Sequence, residues 1–361
     1  MTQPRAITSP DDPALDELCR LLAERAAALE KSGAWPAEQL QLCGRWGVYE
    51  WFLPHSFGGQ QWNEVDVVRG YLKLSAACLT TTFVITQRTG ACQRIVASEN
   101  EPLKQRLLPD LVSGASFATL GISHLTTSRR HLARPVMRAE IDDDELVLDG
   151  FSPWVTGGDR AQTIVTGATM DDGRQVLVAL PASLPGVSTD EPARLVGLSA
   201  SRTGAVRCRR VRVGRQWLLS GPAENVMSGG QVGNTGGLQT STLAVGLASA
   251  AIDFLRTESD QRPDLGEPMR ALEEDHRAIL ADLLGMAAGE PECTKEELRT
   301  RANSLALRSA QAALTAAKGT GYVVGHPAGR WCREALFFLV WSCPQPVLAA
   351  NLCELAGISV Q

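Results

Sequence analysis

An α+β fold in three consecutive parts, helical, then antiparallel sheet, then helical again, follows from where the hydrophobic period changes along these 361 residues. From Ala14 to about Val112 apolar residues recur at three- and four-residue spacing, which predicts helices packed on one face. From Ser113 to about Pro222 the period drops to two, with β-branched residues between Gly, Asp and Pro turns, which predicts strands. From about Asn225 the helical period returns. The expected units are therefore residues 1–112, 113–222 and 223–361.

In the first unit Leu15, Leu18, Leu21 and Leu22 open a helix whose face continues through Ala26 to Leu29. Pro54 to Gly59 reads as a turn, and Glu64–Ala77 and Thr82–Ala97 as helices, the second apolar on several sides and so expected inside. Pro102–Leu111 predicts a short helix with Pro in its first turn, where the missing N–H costs little. In the second unit the alternating runs are Glu145–Asp149, Thr163–Thr166, Gln175–Ala179 and Ala205–Val213. In the third, Thr240–Glu258 carries little charge and predicts a central buried helix. Met269–Ala288, Thr294–Ala317, Gly329–Trp341 and Pro346–Ala356 follow, with Thr294 and Glu297 forming a capping box and Pro344 and Pro346 marking the last boundary.

Composition narrows the function classes. A formal charge of -5 and a sequence pI near 5.7 argue against nucleic acid as a partner, since phosphate binding favours clustered Lys and Arg, and the runs Arg129-Arg130-His131 and Arg207-Cys208-Arg209-Arg210 are short. Nine cysteines form no CxxC pair, so neither a zinc site nor a disulfide scaffold is expected, and a reducing cytoplasm fits. No secretory leader is expected in Met1–Pro13, which lacks a basic segment before an apolar one. No membrane span is expected either, Ala335–Val340 being far shorter than the roughly 20 residues a bilayer needs.

Five short islands stand in order along the chain: Pro54-His55-Ser56-Phe57-Gly58-Gly59, Pro153-Trp154-Val155-Thr156-Gly157-Gly158, Gly197-Leu198-Ser199-Ala200-Ser201-Arg202-Thr203, Arg262-Pro263-Asp264-Leu265-Gly266, and Gly319-Thr320-Gly321-Tyr322. Pro327, Arg330, Arg333-Glu334-Ala335 and Val340-Trp341-Ser342 complete the last one. In this order they resemble the acyl-CoA dehydrogenase superfamily across essentially the whole chain. The family patterns are PExxGG, a W(I/V)TN segment, GxRxSxT, RxxFG, and GGxGY followed by P, R, RDA and (I/V)YEG. This chain departs from them at His55 for Glu, at the absent arginine of GxRxSxT, at Leu265 for Phe, at Lys318 for the first Gly of GGxGY, and at Ser342 for the Glu of YEG.

The resemblance implies an FAD cofactor and places residues around it. Trp154 and Thr156 share one face of an extended strand. At these positions the family packs an aromatic ring beside the isoalloxazine and sets a hydroxyl near its N5; a core tryptophan with a strand threonine is the other reading of the pair. Arg262 corresponds to an arginine that meets the FAD pyrophosphate, in many members across a subunit interface, and Gly319 to the adenine-side loop, although a helix cap explains that glycine equally well. The family's TEP-x-A/G-x-GS loop is replaced by Gly121–Arg130, where Ser123 is a candidate for the cofactor and Ser128 for the substrate. His124 in that loop is a candidate acid or base, or else a structural hydrogen-bonding residue. The family's α-proton base is the YEG glutamate, so Ser342 marks a missing base; the alternative family location, near Gly236-Gly237, holds no acid before Asp253. Cys332 and Cys343 read as packing thiols.

The resulting expectation is an FAD-dependent oxidoreductase acting on an acyl thioester or a related small carbonyl compound. A flavin monooxygenase on the same scaffold, or a non-catalytic subunit, are the alternatives. The resemblance implies a homodimer, with a tetramer as the alternative although the stretch from Leu284 to Gly319 is shorter than in the family, and an electron-transfer partner protein.

Overall fold

The computed structural model describes residues 6–126, 135–227 and 238–358. Helix α1 (Pro13–Ser32) starts where Asp12 accepts a hydrogen bond from the Ala14 N–H at 3.0 Å, and stops at Gly33 in the left-handed conformation. Its apolar stripe of Leu15, Leu18, Leu22, Ala26 and Leu29 is buried. A short α2 (Ala37–Arg45) follows, too brief to show a period in the sequence. Helices α3 (Glu64–Ala77), α4 (Leu79–Ala97) and α5 (Glu101–Ser113) complete the first group. Of the 19 residues of α4, 14 are buried, so it runs through the interior rather than along a surface.

The strands are β1 (Ala118–Gly121), β2 (Met137–Asp142), β3 (Glu145–Thr156), β4 (Thr163–Thr169), β5 (Gln175–Pro181), β6 (Val187–Thr189), β7 (Thr203–Gly214) and β8 (Leu218–Ala223). A single helical turn, α6 (Ser123–Thr126), leaves β1. The sheet runs β6-β7-β3-β2-β4-β5-β8, with β1 beside β4. It is mixed, which corrects the expected antiparallel sheet: β1 is parallel to β4 from Ala118 to Gly121, and β2 meets β4 in parallel at Arg138 and Thr169. Period-two alternation reports which face a residue occupies and carries no information on the direction of a partner distant in the chain.

The last group is α7 (Leu238–Ser259), α8 (Gly266–Ala287), α9 (Lys295–Gly321), α10 (Pro327–Ala335) and α11 (Gln345–Leu355). The expected capping box is present at Thr294 and Glu297. The most apolar long segment is α7, not the run before Val340: by length and composition α7 could cross a bilayer, yet 67% of its apolar window is buried within the protein. Its neighbour is α3, and Ser75 Oγ donates to the Leu243 carbonyl at 2.8 Å. A Cβ at Gly246 would lie 2.7 Å from the Leu72 carbonyl oxygen, so the close approach of the two helices depends on that glycine.

One apolar core unites helices from both ends of the chain, including Leu15 and Leu74 with Leu243, Leu305 and Phe338. A second lies on the sheet around Leu148, Ile164 and Val211, and a third joins α4 and α5 to the sheet through Ile95, Leu111 and Val165. These cores hold α4 between the sheet and the C-terminal helices, and the principal cavity opens along that helix.

Candidate active site

A cavity of about 960 Å³ lies between the end of the sheet and the two helical groups, within the range of roughly 300–1,000 Å³ usual for ligand pockets. On the sheet side it is lined by Ser123, Trp154, Thr156 and Thr203, and on the helical side by Phe83, Gln87 and Arg94 of α4 and by Phe337, Trp341 and Ser342. Four candidates from three separate segments, Ser123, Trp154 with Thr156, and Ser342, therefore share one cavity.

The sheet wall is built from three strand ends. Thr156 closes β3 opposite Thr203, which opens β7. Their hydroxyl oxygens are 3.1 Å apart, and Ser201 Oγ lies 2.9 Å from Thr203 Oγ1, giving a buried chain of three hydroxyls. Thr119 of β1 donates to the Thr156 carbonyl at 2.7 Å, which fixes the backbone beneath that side chain. Trp154 is 53% exposed although its strand neighbours Pro153 and Val155 are buried, so a large apolar ring faces the open cavity. Covering such a ring is worth about 1.5–3 kcal/mol. Ser123 Oγ is buried on the same wall without a hydrogen-bond partner. An orphaned hydroxyl, an uncovered indole and a tethered threonine hydroxyl suit a flat ligand that carries hydrogen-bonding groups along its edge, as a flavin ring does.

The helical wall is fixed by buried polar groups of α9. Arg299 Nε donates to Asn303 Oδ1 at 2.8 Å, Arg299 Nη2 to the Trp341 carbonyl at 2.8 Å, and Asn303 Nδ2 to the Phe338 carbonyl at 3.1 Å. Burial pushes the Arg299 guanidinium down to about 10. Trp341 stacks on Phe337 at 5.0 Å and meets the edge of Phe83 at 4.9 Å, and the next residue, Ser342, has φ 43, a conformation uncommon outside glycine. The position of the family's glutamate is thus held firmly and carries a hydroxyl. Among the described residues lining the cavity Glu64, at the start of α3, is the one acid. The segments outside the described residues contain no Asp or Glu, and those segments include Gly236 and Gly237.

Other candidates lie elsewhere. His124 is buried in α6, with Nε2 2.8 Å from the Gly167 carbonyl, and does not line the cavity. Burial lowers its pKa while the carbonyl bond raises it, and a ring so placed braces α6 against β4. Arg262 and Gly319 lie at the far end of α9. Arg262 Nη1 donates to the Ala316 carbonyl at 2.6 Å, and a Cβ at Gly319 would meet nothing within 4 Å. Lys318, in place of the first glycine of GGxGY, keeps a glycine-like backbone with φ 54 and ψ -149. Ser128, with Arg129, Arg130 and His131, lies outside the described residues. Gln87 and Arg94 join the site without a motif to mark them; their spacing from Phe83, four and eleven residues along one helix, is the signal that places all three on one face.

The model of the acyl-CoA dehydrogenase N-terminal domain family matches residues 14–115. The chain is 23% identical over 336 residues to the probable acyl-CoA dehydrogenase YngJ of Bacillus subtilis (strain 168), covering 87% of this chain and 88% of that protein. It is 23% identical over 348 residues to the mitochondrial short-chain specific acyl-CoA dehydrogenase of Bos taurus, covering 89% and 84%. The solved structure of a glutaryl-coenzyme A dehydrogenase in complex with glutaryl-CoA has a similar fold, with a TM-score of 0.82 at 17% identity over 96% of this chain and 95% of that one.

Proposed function

We propose that this chain, similar over most of its length to acyl-CoA dehydrogenases, is a member of that superfamily of FAD oxidoreductases, binds FAD and oxidises an acyl thioester or a related small carbonyl compound. The observation that carries this reading is the convergence of Ser123, Trp154 and Thr156 on one wall of the cavity that Ser342 faces.

FAD supplies the two-electron acceptor that no side chain provides. In this reading Trp154 covers one face of the ring system and Thr156, oriented by Thr203, hydrogen-bonds its edge. The unpartnered hydroxyl of Ser123 supplies a further contact. Arg262 and Gly319 then serve the phosphate and adenine end of a cofactor held by a second copy in a homodimer. That arrangement is supported by the exposed apolar run Tyr322, Val323 and Val324 beside them, with exposures of 84%, 64% and 75%. Return of electrons to a partner protein is part of the same reading.

Proton removal is where the chain differs. Abstraction of an α-proton calls for a base within hydrogen-bond reach, and neither family location offers a carboxylate. That observation favours a second reading, a flavin monooxygenase acting on the same class of compound, which needs reduced flavin and oxygen but no such base. Anaerobic addition of an acyl-CoA panel to the flavin-loaded protein separates the two. Bleaching of the flavin by a thioester supports dehydrogenation. Retained flavin that no thioester bleaches, with oxygen-dependent product once an external reductant is supplied, supports the monooxygenase. Failure to bind FAD contradicts both.

A further inference from the structure

Helix α4 turns Thr86, Gln87, Gly90, Gln93 and Arg94 toward the cavity, one face of the helix at a spacing of three and four residues. Arg94 stands apart from the other enclosed arginines. Arg299 is tied to Asn303 and the Trp341 carbonyl, Arg330 pairs with Glu334 at 3.7 Å, and Arg333 with Glu30 at 3.0 Å. Arg88 lies over the Tyr49 ring at 3.7 Å and bonds the Leu111 carbonyl. Arg94 is half-buried, and its one described bond is to the Gly90 carbonyl in its own helix at 3.0 Å. It has no acidic partner among the described residues, and the remaining segments hold no Asp or Glu. Glu64, the acid on the cavity wall, makes no ion pair with it. Burial pushes the guanidinium down to about 10, the direction expected of a cation kept from water without a counter-charge.

The space beside it is shaped by Gly90. A Cβ there would lie 2.6 Å from Leu120 Cδ1 and 3.5 Å from Arg94 Nη1, so the glycine lets the Leu120 side chain and the guanidinium close onto the helix backbone. A guanidinium has five N–H donors in a planar fork that matches carboxylate and phosphate oxygens. A desolvated cation with donors to spare, facing an otherwise mainly apolar cavity, stabilises an oxyanion that enters it.

We propose that Arg94 on the cavity wall forms an oxyanion subsite, so that the protein takes substrates with a negatively charged group at this wall, either a carboxylate on the acyl part or a phosphate of its thioester handle. This rests on the reading of the cavity as a site for an acyl thioester.

Titration of the wild type and of Arg94→Gln and Arg94→Lys with glutaryl-CoA, butyryl-CoA and free CoA tests it. Binding is read from tryptophan fluorescence, since Trp62, Trp154 and Trp341 line the cavity. Glutaryl-CoA and butyryl-CoA share a handle and differ in the terminal carboxylate. If the acyl carboxylate is the ligand, Arg94→Gln weakens glutaryl-CoA by roughly 10- to 100-fold and leaves butyryl-CoA within about 2-fold, with Arg94→Lys between. If a handle phosphate is the ligand, all three compounds weaken together. Equal affinities in the wild type and Arg94→Gln overturn the proposal, as does a wild type that responds to none of the compounds nor to glutarate or inorganic phosphate in a thermal-shift assay. Arg94→Gln is expected to fold with an undiminished Tm, because the cation has no acidic partner to lose, and Arg94→Lys provides a second folded variant. Fluorescence reads the apoprotein as well as the loaded protein, so failure of the flavin reading and failure of the subsite give different results.

Discussion

The two walls of the cavity differ in how far they depart from the superfamily pattern. The sheet wall carries an indole at Trp154 and hydroxyls at Ser123, Thr156 and Thr203, with Thr156 held by hydrogen bonds to Thr119 and Thr203 between neighbouring strands. The helical wall has Ser342 in place of a glutamate and, at Arg94, an arginine without an acidic partner among the described residues, on a frame tied by Arg299 to the Trp341 carbonyl. On the helical wall the buried bonds of Arg299 and Asn303 to the Trp341 and Phe338 carbonyls therefore hold a segment whose reactive residue differs from the family pattern.

The sharpest way to break this contrast is to restore the family residue. Ser342→Glu puts a carboxylate at the base position, and the rate of anaerobic flavin reduction by butyryl-CoA is expected to rise by roughly 10²- to 10⁴-fold, the range of general-base catalysis. No gain would mean that the helical wall has moved as well as changed residues. Next in size, Arg299→Ala removes the donor to the Trp341 carbonyl and the partner of Asn303. Unfolding in urea should show a loss of about 2–4 kcal/mol, and the Ser342 segment should lose protection from hydrogen exchange. An unchanged stability would refute the claim that α9 holds this wall.

The smallest expected effect concerns Glu334, buried behind the helical wall with Arg330 and Thr80, whose carboxyl is raised to about 7, mainly by burial. Its folded value lies above its ordinary one of 4.5, so the folded state binds the extra proton between the two. This group's contribution to stability is full below pH 4.5 and is lost as pH rises to about 7. Glu334→Gln should therefore flatten the difference in stability between pH 5 and pH 8, measured by urea titration at each pH, relative to the wild type. A slope unchanged by the substitution would mean that this carboxyl is already ionised across the whole interval.

The two walls were also unequally legible before the structure. Thr156 and Trp154 lie two residues apart on a strand, and period two alone places them on one face. The missing glutamate is a matter of residue identity at Ser342 and needs no geometry. Arg94 could not be singled out in this way, because its significance is the lack of an acid near it, and that depends on which helices and strands meet around α4. His124 shows the converse: a histidine in a functional loop attracts a catalytic reading, but its hydrogen bond to Gly167, 43 residues away, turns the ring into the sheet. For the fold, long amphipathic helices such as α3 and α8 declare themselves, whereas β1 and β6, with four and three residues, are too short to display alternation. The parallel pairing of β1 with β4 is a non-local choice made by the packing of the whole sheet.

The central claim is that the sheet wall is a working flavin site. Its most direct test is the visible absorption spectrum of the protein after incubation with FAD and gel filtration, run beside Trp154→Ala. A flavin spectrum that elutes with the wild type, and FAD affinity weakened roughly 10- to 100-fold in Trp154→Ala without loss of folded stability, is the predicted result. A colourless wild type, or a Trp154→Ala protein that holds FAD as tightly as its parent, would contradict it.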